Sequence, residues 1–202
     1  MRKIPVRTAI IKTASRLFYR QGYSNTGINQ IIAEAGIAKS SLYQHFRSKE
    51  DLLLAYLEET GLQTINALSN AADQHNTPKE KLLAIFDFLE ILVDQPDFYG
   101  CHFLNMVYEL PVDAVRIREQ IKKQKDSIRE LFRQILVPIH KEILADDIYT
   151  LFEGSLIGNK IHNDPWPILR QKISLKSYFN FALIKTDLSV LRYTTNNRQV
   201  EK

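Results

Sequence analysis

Between Thr26 and Lys49 the chain reads TGINQIIAEAGIAKSSLYQHFRSK, and this run leaves little choice of local structure. Ile28, Ile31, Ile32 and Ala35 recur at i, i+3, i+4 and i+7, the stripe of a short helix. Ala35-Gly36-Ile37 then supplies a turn. The next segment sets Lys39, Ser40, Ser41, Tyr43, Gln44 and His45 around a thin apolar side of Leu42 and Phe46. Two short helices joined by a Gly turn, the second one polar, form a helix-turn-helix, a layout suited to reading nucleic acid. Gln can hold adenine through two hydrogen bonds and Lys can address guanine, whereas Ser serves either. We expect Lys39, Ser41 and Gln44 on base edges, with Ser40 on a base or sugar. Thr26, Tyr43, His45 and Lys49 suit phosphates, through hydroxyls and through a cation in the first turn of the following helix. Tyr43 and His45 could instead pack their rings against the first helix. Leu42 and Phe46 belong to the core.

Charge supports the same division. Residues 1–50 hold nine Lys/Arg against two Asp/Glu, and the remaining 152 hold eighteen against twenty-one, for a total of +4. A basic head on a mildly acidic body fits a nucleic-acid module joined to something else. Arg2, Lys3 and Arg7 form either a basic arm or a solvated start.

The rest of the chain also reads as helix, with only seven Gly and no sustained alternation. A first helix covers about Val6 to Gln21, with Ile10, Ile11, Ala14, Leu17 and Phe18 on one face and Gly22 as its stop. Thr26 is the expected cap of the second helix, and Gly36 ends it. Ser48 opens a fourth, with Asp51 as a capping-box partner, running to about Asn70. Thr77-Pro78-Lys79-Glu80 opens another, to about Asp94. Further helices are expected over about Tyr99–Glu109, from Asp113 to Val137, from Asp146 or Asp147 to His162, and over Ile168–Lys185. Pro138 kinks or ends the seventh. A polar tail follows Leu191. The fold class is therefore all-α, with about nine helices. Residues 1–48 form a three-helix DNA-binding domain, and 49–202 form a helical domain.

The chain resembles the TetR family of bacterial transcriptional regulators. The pattern runs through Leu17-Phe18, Gly22-Tyr23, Thr26, Ala35-Gly36-Ile37, Lys39, Leu42-Tyr43, His45-Phe46, Ser48-Lys49-Glu50 and Leu52-Leu53. It departs at Gly27, where Ser is frequent, and at Ala38, where a Ser or Thr usually caps the recognition helix. The resemblance implies that the third helix enters the major groove. It also implies a C-terminal domain that dimerises and holds a small-molecule effector, and release of a near-palindromic operator when the fourth helix moves. A homodimeric, ligand-responsive repressor is the expected function.

Within that frame, Phe86, Phe103, Met106 and Tyr108 are candidate pocket walls, and Glu109 and Asn159 could orient a ligand. As a stripe at helical spacing, the same residues also suit plain core. Gly154, Ser155 and Gly158 would let a partner helix approach, with Phe179, Ile173, Phe181 and Leu183 adding apolar surface; an internal packing role is equally open. Cys101, the single cysteine, excludes an intrachain disulfide. At a helix start beside His102, it is a candidate redox or electrophile sensor, because a helix N-terminus and a protonated His favour thiolate. The basic residues from Arg116 to Arg133 read as a solvated helix face.

An enzyme is not expected. The sequence shows no Gly-rich phosphate loop, no HExxH and no Cys/His metal spacing, and we expect neither cofactor nor metal. The competing class is a helical adaptor whose helix-turn-helix binds no DNA. With no apolar run of membrane-spanning length and no apolar leader, a cytoplasmic protein with no membrane association is expected.

Overall fold

The computed structural model describes residues 5–182, and among these all regular structure is helical. α1 (Val6–Gln21), α2 (Ile28–Ala35) and α3 (Lys39–His45) form a head. α4 (Lys49–Asp73) leads out of it into α5 (Pro78–Val93), α6 (His102–Glu109), α7 (Val115–Leu136), α8 (Ala145–His162) and α9 (Trp166–Ala182). The all-α class and the order of nine helices are as expected. Arg2, Lys3, Leu183 and the polar tail lie outside the described residues, as does the side chain of Phe181.

Helix ends follow local chemistry. Gly22 and Gly36 take φ of 90° and 63°, where a Cβ would be strained, and they stop α1 and α2. Ser48 Oγ accepts from Asp51 N at 3.0 Å and caps α4. Thr77 and Glu80 close a reciprocal capping box at α5, with Pro78 at the first position. Other ends differ from expectation. The cap of α2 is Gly27, because Thr26 turns inward. The cap of α7 is Ala114, since Asp113 sits in a turn whose carbonyl accepts from Val115 N at 2.7 Å. α9 begins at Trp166, where Asp164 Oδ1 accepts the Trp166 N–H at 2.8 Å and Pro167 lacks a proton that the first turn does not need. Pro138 ends α7 in a 3-10 turn, Val137–Ile139, and a second one, Glu142–Leu144, leads to α8.

Two cores result. The first gathers Ile10, Phe18, Ile31, Leu42, Leu53 and Leu57 from the head and the start of α4, and continues into Phe103, Met106, Ile117 and Ile121. The second joins Leu68, Ile85, Phe86, Phe132, Phe152 and Leu175 from α4, α5, α7, α8 and α9. Apolar contact therefore does not stop at residue 48. α4, roughly 37 Å long at 1.5 Å per residue, has Leu53 in one core and Leu68 in the other. Cys101 touches both. α7 approaches α4 closely at Gly61, whose carbonyl accepts from the buried Gln124 Nε2 at 3.0 Å. A Cβ at Gly61 would collide with Gln124 Oε1.

Candidate functional site

α3 is two-faced. Leu42 is fully buried and Phe46, its cap, nearly so, which seats the helix on α1. Lys39, Ser40, Tyr43, Gln44 and His45 are exposed, and Ser41 is half-buried. Lys39/Tyr43 and Ser40/Gln44 are i, i+4 pairs, so the polar groups share one outer surface. Ala38 provides no side-chain cap, which leaves the first N–H groups of α3 open to a phosphate. Arg7, expected in a basic arm or a solvated start, belongs to α1 and sets its guanidinium 5.4 Å from the Phe46 ring centroid. Gln30 Nε2 donates to Glu34 at 2.9 Å, Arg16 pairs with the same carboxylate, and Gln21 reaches Gln30 at 3.0 Å. These bonds hold α2 against α1.

Thr26 does not face a phosphate, and Lys49 is partly covered by the chain. Thr26 is fully buried, and its hydroxyl donates to the Gly22 carbonyl at 2.7 Å. Its side chain closes the turn before α2 instead of facing a phosphate. Lys49 is half-buried, with Nζ 4.1 Å from the Tyr23 ring centroid. Burial pushes its pKa below the usual Lys value, against an opposing pull from Glu109.

Behind the head lies an apolar cavity of about 220 Å³. Its walls include Leu68 of α4, Phe88, Leu89 and Leu92 of α5, Phe98, Phe103 of α6, Ile128 of α7, and Phe152 and Leu156 of α8. Tyr19 of α1 also reaches it. The Tyr19 hydroxyl donates to the Gly100 carbonyl at 2.7 Å and accepts from Tyr99 N at 2.9 Å, and its ring stacks on His102 with centroids 3.6 Å apart. Tyr56 hydrogen-bonds His102 Nδ1. Burial drives the His102 pKa down to about 4, so the imidazole is neutral and cannot assist the neighbouring thiol as expected. A different cation does approach Cys101: Lys125 Nζ lies 3.3 Å from Sγ and 2.8 Å from both Glu153 oxygens. Burial alone would lower the Lys125 pKa. The Cys101 sulfur and Glu153 carboxylate outweigh it and leave the ammonium above its ordinary value.

Of the six pocket candidates, Phe103 lines this cavity. Phe86 and Met106 are buried in the second and first cores. Tyr108 is 76% exposed. Glu109 sits against the head, where it accepts from Ser24 N at 3.1 Å and packs on Gly22. Asn159 donates to the Asp164 carbonyl at 3.2 Å and braces the α8–α9 turn. Tyr19, Lys125 and the Thr60/Thr64 rim were not legible as pocket residues. An 81-residue separation from its partner Gly100 hides Tyr19, and a basic-rich helix hides Lys125. Lys125 does stand out within that helix at i+4 from Ile121 and i−3 from Ile128, on the apolar side.

Comparison with known proteins supplies the family. The family described as "Bacterial regulatory proteins, tetR family" matches residues 10–56. The chain is similar to YxaF, a helix-turn-helix transcriptional regulator of Bacillus subtilis, at 40% identity over 171 residues, covering 81% of this chain and 89% of that one. The chain belongs to the TetR family of bacterial transcriptional regulators. It is also similar to the transcriptional repressor DhaR of a Mycobacterium species, at 26% identity over 181 residues and 83% and 89% coverage. The fold matches the crystal structure of SCO4454, a TetR-family regulator from Streptomyces coelicolor, with a TM-score of 0.76, 24% identity, and 84% and 85% of the two chains covered.

TetR-family regulators bind DNA and act as dimers with small-molecule effectors. A TetR dimer needs an apolar outer face, and α8 and α9 present one. Gly154 opens to empty space, and Ile157 and Ile161 follow it at i+3 and i+7. Trp166, Leu169 and Ile173 form the matching stripe on α9, at 50%, 40% and 54% exposure. Three of the expected interface residues face inward instead. Ser155 is buried and donates to the Leu151 carbonyl, Gly158 packs on Pro167, and Phe179 packs on the second core. Small residues there serve the α8–α9 contact within one chain. The basic residues of α7 are largely engaged with neighbours: Arg116 bridges Glu50 and Asp51, Arg129 pairs with Asp146, and Arg133 with Glu130. No helix of the described residues is long and apolar enough to cross a membrane.

Proposed function

We propose that the protein is a homodimeric repressor that leaves a near-palindromic operator when a small molecule enters the cavity behind the head. The exposed polar face of α3, seated on buried Leu42 and Phe46, carries this reading. Lys39, Ser40, Ser41 and Gln44 read bases. Tyr43, His45 and Lys49 hold phosphates, with the open N–H groups of α3 beside them. The stripes of α8 and α9 dimerise the chain and set two α3 helices about one helical turn of DNA apart. Similarity to the repressor DhaR supports a repressing role.

Selection from a random duplex library at about 150 mM salt tests this, because nonspecific phosphate binding is weak there. Recovery of a two-fold-related pair of half-sites is expected. Recovery of no preferred sequence by folded protein would replace the reading with that of a protein-binding adaptor.

One observation favours a second reading, in which Cys101 signals by oxidation or alkylation. Its sulfur lines the cavity with the Lys125 ammonium 3.3 Å away. Intact mass after dilute peroxide or a quinone decides it: an unmodified Cys101 in folded protein removes this route.

A further inference from the structure

The charges around the cavity restrict what can enter it. Among its described lining residues, Lys125 is the sole side chain that carries full charge. Its three N–H groups already meet Glu153 Oε1, Glu153 Oε2 and Cys101 Sγ. Lys125 and Glu153 are only 12% and 13% exposed, so the pair is closed to solvent and self-compensated. A carboxylate or phosphate entering the cavity would lose its water and find no unpaired cation. An ammonium would find no unpaired acid. Either ion would bear a desolvation cost of several kcal/mol with nothing to offset it.

Neutral donors remain, the side chains of Thr60 and Gln63 among them, and His102 is the one whose orientation is fixed by both a hydrogen bond and a stacked ring. Among the described residues, the Tyr56 hydroxyl has no acceptor other than His102 Nδ1, and leaving a buried hydroxyl proton without one is costly. Tyr56 therefore donates, Nδ1 accepts, and the imidazole proton resides on Nε2. No described residue accepts from Nε2, and His102 lines the cavity. The stacked Tyr19 ring fixes the imidazole plane. Burial keeps the ring uncharged, in accord with the low pKa. The Tyr19 hydroxyl has both its proton and a lone pair engaged already.

Size sets the last limit. A cavity of about 150 Å³ accommodates benzene, so about 220 Å³ holds one substituted ring. Phe88, Phe98, Phe103 and Phe152 surround that space.

We infer that the effector is an uncharged, single-ring aromatic compound with one acceptor oxygen, which hydrogen-bonds the His102 Nε2–H while its ring lies among Phe88, Phe98, Phe103 and Phe152. This rests on the reading of the cavity as the effector site. Four matched probes test it by calorimetry on the full chain: 4-methylacetophenone, 4-methylbenzoate, 4-methylbenzylammonium and 4-ethyltoluene. The ketone is expected to bind at least tenfold more tightly than either ion, and several-fold more tightly than the hydrocarbon, which lacks the acceptor. Ala67→Phe, which fills the cavity from α4, abolishes ketone binding; if that variant does not fold, Leu92→Trp fills the same space from α5. Equal or tighter binding of either ion overturns the inference, as does failure of the ketone to bind at its solubility limit. Operator retention measured with the same probes separates the two readings. A ketone that binds without releasing DNA overturns release and leaves the ligand class intact. An ion that binds and releases DNA overturns the ligand class and leaves release intact.

Discussion

Gly61 shows how one residue sets a helix spacing. Replacing a mid-helix Gly by Ala ordinarily gains close to 1 kcal/mol. Here the methyl group would displace Gln124, which is buried and bonded to the Gly61 carbonyl. Gly61→Ala is expected to lower unfolding stability by about 1–2 kcal/mol, and adding Gln124→Ala should recover part of that loss. Urea titrations of the two variants measure both effects, and a stabilised Gly61→Ala would contradict the close-approach account. His102 makes a pH prediction. The unfolded residue titrates near 6.5 and the folded one at about 4. Above pH 6.5 both states are neutral, so its stabilisation is complete. As pH falls from 6.5 towards 4 the unfolded chain takes a proton that the folded one refuses, and up to about 3 kcal/mol is lost. His102→Gln, which keeps an acceptor for Tyr56, should flatten stability between pH 6.5 and 5. An unchanged slope would show that other groups cause it. The carboxylates of Asp51, Glu80 and Asp146 are held below their ordinary range by Arg116, Thr77 and Arg129 respectively, so they act at lower pH.

At the scale of elements, α7 and α8 meet at the buried Lys125–Glu153 ion pair, with Cys101, the cap of α6, beside it. Lys125→Met leaves the Glu153 carboxylate uncompensated and is expected to cost about 3 kcal/mol, whereas Lys125→Met with Glu153→Leu should restore most of it. Chemical denaturation of the three proteins decides this. Because the folded pKa of Lys125 stands above its unfolded value, the pair's contribution is complete below about pH 10.5 and fades as pH rises through the folded value. Elements were largely legible from local pattern: the Thr77–Glu80 box, the Gly36 turn and the i, i+3, i+4 face of α1 all depend on neighbours in the chain. What stayed hidden depends on distant partners. Thr26 read as an exposed hydroxyl because nothing local shows it folded back on Gly22. Glu109 and Asn159 read as ligand groups because the Ser24 N–H and the Asp164 carbonyl that they serve are placed by tertiary packing. Small residues of α8 read equally as an intermolecular strip or as internal packing, because Pro167, their neighbour in the same chain, follows a turn.

The whole molecule needs two copies to read a two-fold site. Ile161→Glu with Leu169→Glu charges the outer stripes of α8 and α9, where both residues are exposed in the monomer. Sedimentation should then show monomers that keep their helical signal and lose the tight operator complex. A variant that remains dimeric would place the interface elsewhere. Lys49→Ala should weaken binding to all duplexes alike and lower the salt slope by about one phosphate; Gln44→Ala should change which sequence is preferred.

Tyr19 carries a consequence for anyone recombining such regulators. It is read out with the head, one helix ahead of the DNA-reading unit, yet its ring is part of the chamber wall behind. A chimaera that takes its first fifty residues from a relative also imports a foreign wall, and removes the hydroxyl that ties Tyr99 and Gly100 together unless the donor has Tyr there. In such a swap of the whole head, a change of address on the genome and a change in the shape of the chamber are one and the same edit.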